Sequence, residues 1–297
     1  KFLDLQLQLY SQEPSDRTAA LYGATVLQMA QSPLGLWHIQ GSMKKLSDNL
    51  QACLIANGGK LLLRHKVVSL ISGTDSQTWK VDVINNKGES VKFNATDVIC
   101  SLPPQCLLTL MKEGAGLPHN YRNRLLNLPQ PNGAIVFYGA IERLYLKGFQ
   151  ASHFQLFTEE FGSLFLSISR DGDGRAPQGE ATIIASVFTN VSLWADLHEE
   201  AYQKRKEIVF NKILTAINTF FNFTSNCWLH KELATPRSFA KWTGRPYGIV
   251  GGLGQKPTSF GPFGLPSRTP MKGLWLCGDS IYPGEGTAGV TQSALML

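Results

Sequence analysis

Gly273-Leu-Trp-Leu-Cys-Gly-Asp279-Ser-Ile-Tyr-Pro-Gly284-Glu-Gly286-Thr-Ala-Gly289-Val-Thr-Gln-Ser-Ala-Leu-Met-Leu297 is the stretch on which the reading of the fold turns. The apolar run from Leu274 to Cys277, bounded by glycines, predicts a short buried strand. Ala288 to Leu297 predicts the opening turns of a helix, and a glycine-rich loop joins the two. Together these have the grammar of a nucleotide-binding corner. Glycines admit close backbone approach, and the amides and positive dipole end of a helix start attract anionic or electron-rich groups.

Gly284-Glu-Gly286-Thr-Ala-Gly289 matches G-x-G-x-x-G letter for letter. In dinucleotide-binding folds the first glycine follows the strand directly, and an acidic residue stands about 20 positions further on. Here Gly278 to Pro283 intervene, and eight residues follow Gly289. The loop therefore reads as a cofactor contact and not as the principal pyrophosphate site. The plainer alternative is a glycine-rich turn entering a helix. Asp279 is the most specific single residue, because a carboxylate just after a buried strand accepts hydrogen bonds from ribose or ribityl hydroxyls. Its alternative role is a turn aspartate.

Working outward, 297 residues with 43% hydrophobic and 17% charged content describe a globular chain with length for a sizeable core. The net charge of +6 is scattered. Lys44-Lys45 is a lone pair, and Lys204-Arg205-Lys206 is flanked by Glu199, Glu200 and Glu207, which reads as a solvated helical face. No basic stripe or nucleic-acid module is visible, so we expect no nucleic-acid partner, while peripheral contact with an anionic membrane remains open. Cys53, Cys100, Cys106, Cys227 and Cys277 form neither a disulfide framework nor a metal-site spacing, so a reducing compartment is expected. Three glycosylation sequons, at Asn94, Asn190 and Asn222, read as chance matches without a signal peptide. No run of about 18 apolar residues is present. The sequence lacks an initiator methionine, and Ala294-Leu-Met-Leu297 carries no helix stop, so we read a piece of a longer chain.

In chain order, the alternation of Leu3, Leu5, Leu7 and Leu9 predicts a strand. Ser15 then introduces a helix carrying Ala19, Tyr22, Val26, Met29 and Ala30, ended by Ser32-Pro33. Ser42 is placed at the N-cap of a second helix with an apolar stripe of Leu46, Leu50, Cys53 and Leu54, closed by Gly58-Gly59. Strands over Leu61 to Ile71, Thr78 to Ile84 and Ser90 to Cys100 form a β-meander turning at Asn86-Lys-Gly88. Ala134 to Tyr138, His153 to Thr158, Leu164 to Arg170 and Ala181 to Phe188 predict an antiparallel sheet. Asp171-Gly-Asp173-Gly-Arg175 fails the calcium-loop pattern and reads as a tight turn. A long helix is expected from Asp196 to about Phe221, and turn-rich chain from Cys227 onwards.

His38, His65, His119, His153, His198 and His230 show no metal-ligand spacing, and no nucleophile motif is present. No catalytic or metal-ligating residue is therefore assigned. A nucleotide corner without acid/base machinery suits an enzyme whose cofactor carries the chemistry. Arg237 and Arg245 are candidates for holding an anion, or for lying over aromatic rings. Phe137, Phe154, Phe157, Phe165, Phe220, Phe221 and Phe223 read mostly as core, with a hydrophobic tunnel as the alternative.

Thr235-Pro-Arg237, the Gly- and Pro-rich segment after it, and the run from Gly273 to Gly286 resemble the C-terminal part of carotenoid isomerases and phytoene-desaturase-like flavoproteins. These belong to the flavin-containing amine oxidoreductase superfamily. Gly278-Asp279-Ser-Ile-Tyr-Pro283-Gly284-Glu-Gly286 is nearest in form to the isomerase branch. Trp37 to Met43, Leu46, Leu50, Gly58-Gly59 and Val67 are similar to a helix-plus-strand segment of the same family. The resemblance is weakest from about Leu110 to Phe223.

The resemblance implies an α+β fold related to the α/β class. An incomplete FAD-binding domain (41–104 and 270–297) would be interleaved with a substrate domain (1–40 and 105–269) built on an antiparallel sheet with helices. It implies FAD as cofactor, approached by Gly278 and Asp279 near the ribityl and pyrophosphate groups. Gly286, Thr287, Ala288, Gly289 and Val290 would lie against the flavin ring, and Val67 would meet the adenine through its backbone. Family members carry the true G-x-G-x-x-G in an N-terminal βαβ unit that this sequence lacks, so the fragment alone is expected to be inactive. The implied activity is oxidoreduction or isomerisation of a long apolar polyene such as a carotenoid, an apolar small-molecule partner, in the cytoplasm or at a membrane surface. An amine-oxidase-like flavoenzyme and a non-catalytic pigment- or lipid-binding protein are the rival expectations. The oligomeric state is left open.

Overall fold

The computed structural model describes residues 2–29, 35, 37, 39–73, 78–112, 116–130 and 132–297. From the N-terminus come α1 (Phe2–Ser11), α2 (Ala20–Met29) and α3 (Lys44–Ala56). β1 (Lys66–Ser72), β2 (Trp79–Ile84), β3 (Ser90–Ala95) and β4 (Val98–Cys100) follow, then α4 (Cys106–Leu110) and α5 (His119–Leu126). β5 (Gly133–Glu142), β6 (His153–Thr158), β7 (Gly162–Ile168) and β8 (Glu180–Thr189) precede α6 (Ser192–Ala195) and α7 (Glu199–Phe221). β9 (Trp228–Ala234), α8 (Pro236–Thr243), β10 (Leu274–Leu276) and α9 (Gly286–Leu295) complete the α+β chain. It divides into two compact units, each discontinuous in sequence.

The first unit comprises Lys1–Ser15, Gly23–Cys53 and Asn132–Val250. Its sheet is antiparallel with strand order β6-β7-β8-β5-β9. Alternation along the strands sends Ile135, Phe137, Leu164, Leu166, Ile183 and Ala185 to one face, where Ile213 and Ile217, one helical turn apart on α7, close over them. Each of the larger of these side chains, taken wholly out of water, contributes roughly 1.5–3 kcal/mol. Gly139 is required on β5 because a Cβ there would overlap the ring of Trp228, which packs edge-on to Phe137 at 5.4 Å between centroids. The four strands expected in this region are present.

Three expectations for this unit are corrected. Residues 2–11 are helix and not strand. Four alternating leucines satisfy a two-residue period, but the run Leu-Asp-Leu-Gln-Leu-Gln-Leu is built of residues with little β preference, and Leu and Gln are good helix formers. The long helix begins at Glu199, with His198 as its N-cap accepting from the Ala201 amide, and not at Asp196, which lies just beyond the short α6. Residues 228–234, expected to be turn-rich, form strand β9 at the sheet edge. The Asp171 to Arg175 segment is the expected turn, with the Asp173 carboxylate accepting from the Arg170 and Arg175 amides and pairing with the Arg175 guanidinium at 2.8 Å.

The second unit comprises Asp16–Tyr22, Leu54–Pro131 and Gly251–Leu297. The meander β1-β2-β3 is present, turning at residues 86–88. The first strand starts at Lys66 and not Leu61, and the expected third strand is two: β3 stays in the meander while β4 leaves it to pair with β10. Trp79 is buried against Leu107, Leu125, Leu274 and Leu276, and its indole donates to the Lys272 carbonyl at 3.1 Å.

The expected apolar stripe of α3 is corrected too: the helix has no buried residue, and Leu50 and Leu54 are exposed. Leu46 alone of the stripe is half-buried, so the periodicity is real but mostly faces outward. Ser42 precedes the first helical residue, Lys44, by two positions and adopts a positive φ of 74°, so it is not the N-cap, although its hydroxyl accepts from the Lys44 amide. Gly58 and Gly59 close the helix by bonding back to Ile55 and Leu54. The first helix expected after Ser15 begins at Ala20; Ala30, Ser32-Pro33 and His38 lie outside the described residues.

Candidate functional site

The expected strand, loop and helix corner lies wholly in the second unit. β10 pairs in parallel with β4, Leu274 opposite Val98 and Leu276 opposite Cys100, and the Cys277 amide extends the ladder to the Cys100 carbonyl at 3.1 Å. Both leucines are buried. The strand ends at Gly278, whose φ of 114° suits glycine alone. Its amide donates to the Ser293 hydroxyl at 2.9 Å, and that hydroxyl donates to the Val290 carbonyl at 2.8 Å. Ser293 is fully buried, so this single side chain ties the end of β10 to the third turn of α9.

The loop is held by backbone contacts that only glycine permits. A Cβ on Gly289 would overlap the Gly284 carbonyl, and one on Gly252 would overlap the Asp279 carbonyl. The Glu285 carboxylate accepts from the Gly252 amide at 3.1 Å, which joins the segment from Gly251 onwards to the start of α9. Asp279 is half-buried beside β10, with the Ser280 hydroxyl donating to its carboxylate at 3.3 Å. Glu285, the N-cap of α9, forms no side-chain capping bond. Gly286, Thr287 and Ala288 are exposed, and Gly289 and Val290 are half-buried. The loop therefore offers helix-start amides as donors together with a carboxylate acceptor near the strand end.

Of the eight residues singled out for a cofactor, Gly278, Asp279 and Gly286 to Val290 share this corner. Val67 stands apart on β1 in the meander, opposite Val83 and beside a bulge, with no bond joining it to the loop among the described residues. Ser293, Gly252 and Glu285 were not anticipated. A serine one turn beyond Gly289 in a helix of small residues is the faint signal for the first, and the partners of the other two are set by tertiary contact.

Other sequence candidates have structural roles. The Arg237 guanidinium stacks over Tyr202 at 4.3 Å and donates to the Trp194 and Leu197 carbonyls. His198 caps a helix, His65 and His119 bond to neighbours on the exposed surface, and His230 Nε2 lies 3.7 Å from the Glu232 carboxylate. Among the described residues no cluster of three or more His, Cys, Asp or Glu has metal-binding geometry. Phe137 and Phe223 are core, and Phe154 and Phe221 pack against it.

Within the first unit, the sheet face opposite α7 borders a cavity of about 500 Å³. Val136, Phe161, Phe165, Phe188, Phe239 and Val250 supply apolar wall, and Gln8 and Leu9 of α1 contribute from across the sheet. The helix is pinned there by the Gln155 side-chain amide, which donates to the Leu5 carbonyl at 2.7 Å. Phe165 is the one phenylalanine of the seven considered that lines it.

No protein-family model matches the chain. It is 26% identical over 274 residues to prolycopene isomerase 2, chloroplastic, of an Oncidium hybrid cultivar, covering 88% of this chain and 45% of that protein. Over shorter stretches it is 33% identical to prolycopene isomerase of Daucus carota (141 residues, 46% of this chain, 22% of the relative). The figure for the Arabidopsis thaliana protein is 34% (143 residues, 46% and 24%). Its curated homologues are thus prolycopene isomerases, which are carotenoid isomerases, and the chain spans about half the length (45%) of the Oncidium protein. Among solved structures, an oxidoreductase from Methanosarcina mazei superposes with a TM-score of 0.67 at 16% identity, covering 100% of this chain and 62% of that one. A Pyrococcus furiosus protein does so with a TM-score of 0.59 at 16% identity, covering 100% and 63%. At that identity the likeness concerns fold. Among the described residues no helix is long and apolar enough to cross a membrane.

Proposed function

We propose that this chain forms part of an FAD-dependent oxidoreductase or isomerase acting on a long apolar polyene such as a carotenoid. The observation that carries the reading is the corner itself. A parallel strand ends on a positive-φ glycine, and the following loop is drawn so tightly onto α9 that Gly284 and Gly289 touch backbone to backbone. This leaves the exposed helix-start residues Gly286 to Ala288 and the Asp279 carboxylate at one site.

This donor and acceptor set fits a flavin nucleotide, which has electron-rich ring carbonyls for helix-start amides and ribityl hydroxyls for a carboxylate. Asp279 would accept from the hydroxyls, Gly278 would let the backbone approach, Gly286 to Val290 would lie against the ring, and Val67 would meet the adenine. Bound FAD supplies reversible electron-pair chemistry. The chain's own contribution is to orient the ring and hold the polyene, and no side chain is assigned an acid or base role. In this reading the part bearing β1–β4, β10 and α9 serves the cofactor, and the part bearing β5–β9 and α7 serves the substrate. The activity for which the relatives are named and the apolar cavity support the choice of substrate. No described residue of the lining is a carboxylate that would favour an amine substrate.

The test is flavin retention. The intact protein should purify with flavin absorbance and convert a polyene, and Asp279→Ala should lower flavin affinity about tenfold, as loss of a charged hydrogen-bond acceptor does, while leaving the fold intact. Folded intact protein without flavin would sink the reading.

A further inference from the structure

The cavity beside the five-stranded sheet has a chemical character that a pure hydrocarbon does not explain. Strand alternation that sends Phe137, Leu164 and Ala185 into the core sends Tyr138, Ser163 and Ser186 to the opposite face, where all three line the cavity together with Gln8 of α1. Ser186 sits on β8 opposite both Val136 of β5 and Phe165 of β7, so its hydroxyl is set in a patch of apolar wall. The four polar side chains are half-buried and, among the described residues, make no hydrogen bond within the protein. By contrast, Thr189 and Asn190 at the same cavity are engaged, the first accepting from Trp194 and the second from Ser192.

Polar groups gathered on one face of a cavity, with hydrogen-bonding capacity that the protein itself leaves unused, are placed for a ligand or ordered water to complete them. Among the described residues, the cavity's lining also carries no Lys, Arg, His, Asp or Glu. A carboxylate, phosphate or ammonium group would find no counter-charge there, which restricts the complement to uncharged oxygen functions. Burial pushes the Tyr138 hydroxyl up from its ordinary pKa, with Glu232 adding to the effect, so the phenol stays protonated and is able to donate.

We propose that this cavity binds the end of an apolar chain bearing an uncharged oxygen group, a hydroxyl or keto function, which Tyr138, Ser163, Ser186 and Gln8 receive by hydrogen bonds while the aromatic walls hold the adjoining hydrocarbon. The nature of the chain rests on the polyene reading above, whereas the oxygenated end rests on the cavity alone. A site built to pair an oxygen discriminates against the analogue lacking it, because its own polar groups are then left buried and unpaired.

The experiment compares an acyclic C40 polyene hydrocarbon with its terminally hydroxylated analogue, both in detergent micelles. Binding to the protein is followed by tryptophan quenching and by the visible circular dichroism of the bound polyene. The hydroxylated polyene should bind about tenfold tighter, the effect of one or two added hydrogen bonds. Tyr138→Phe and, independently, Ser186→Ala should reduce that preference several-fold while changing hydrocarbon affinity less than about twofold. Equal binding of the two polyenes, or a preference that survives both substitutions, overturns the inference. If neither polyene binds, the polyene reading falls, and decanol against decane then decides the inference: a preference for the alcohol that Tyr138→Phe removes supports it, and none overturns it.

Discussion

Ser293→Ala isolates the one side chain that ties the end of β10 to α9. The wild-type hydroxyl accepts from the Gly278 amide at 2.9 Å and donates to the Val290 carbonyl at 2.8 Å, with no solvent exposure. Val290 lies inside the helix, so its carbonyl keeps a place in the helical ladder and its loss is small. The Gly278 amide has no such alternative. Removing the hydroxyl leaves a buried N–H unsatisfied, which costs about 1–3 kcal/mol. At roughly 1–3 kcal/mol per molar urea, the unfolding midpoint of this unit should fall by about 1 M. Trp79 and Trp275, both in the same unit, report the transition by fluorescence. The control is Thr291→Ala on the exposed side of the same helix, where the hydroxyl bonds only to the Thr287 carbonyl, and the change should stay within about 0.5 kcal/mol. Coincident midpoints for the two variants would refute the idea that the Gly278 amide depends on Ser293.

Gly289→Ala places a methyl group on the Gly284 carbonyl, so it should destabilise the second unit by at least about 1–3 kcal/mol and lower flavin affinity with it, read by thermal melts and flavin titration. Arg237→Lys keeps the charge but loses the planar stack on Tyr202 and the paired bonds to Trp194 and Leu197; a loss of about 1–2 kcal/mol in the melt of the first unit is expected. Asp173 supplies an acid limb. Burial pushes its carboxyl up, but bonds from Arg175 and from the Arg170 amide outweigh this and hold it below the ordinary carboxylate range. With a folded pKa below the unfolded value of about 3.9, its contribution is complete above that value and is lost as pH falls through the lower folded one. Stability measured against pH should therefore decline in that window, and Asp173→Asn should flatten the decline.

The elements legible in the sequence were those whose signal is local. β5 to β8 are short apolar or alternating runs set between turns, and the closing corner combines an apolar triplet, positive-φ glycines and a helix start within one short stretch. α1 was misread because a leucine every second residue also satisfies part of a helical face, and only contact with the sheet decides between the two. β9 was missed because an edge strand is exposed on one side: His230, Lys231 and Glu232 interrupt the apolar pattern that a central strand shows. The division of the third meander strand between two sheets was hidden because β4 finds its partner only at β10. The cavity was legible only in Phe165, one of the phenylalanines weighed for a hydrophobic tunnel. Its polar lining comes from alternate positions on three strands and from a helix at the far end of the sequence, and no window contains them together.

Val98 meets Leu274, so the ladder that frames the corner closes only after nearly the whole described chain has been made. The strands and helix of β5 to β9 come from one continuous segment, whereas the second unit needs segments from both sides of that insertion. Loop closure on this scale is slow, and a ribosome releases the chain from its N-terminus at a few residues per second or somewhat faster. The antiparallel sheet is thus poised to fold during synthesis, while β4 waits for β10, the last of the described strands to be made. In a cell, that interval is when the protein most needs protection from aggregation.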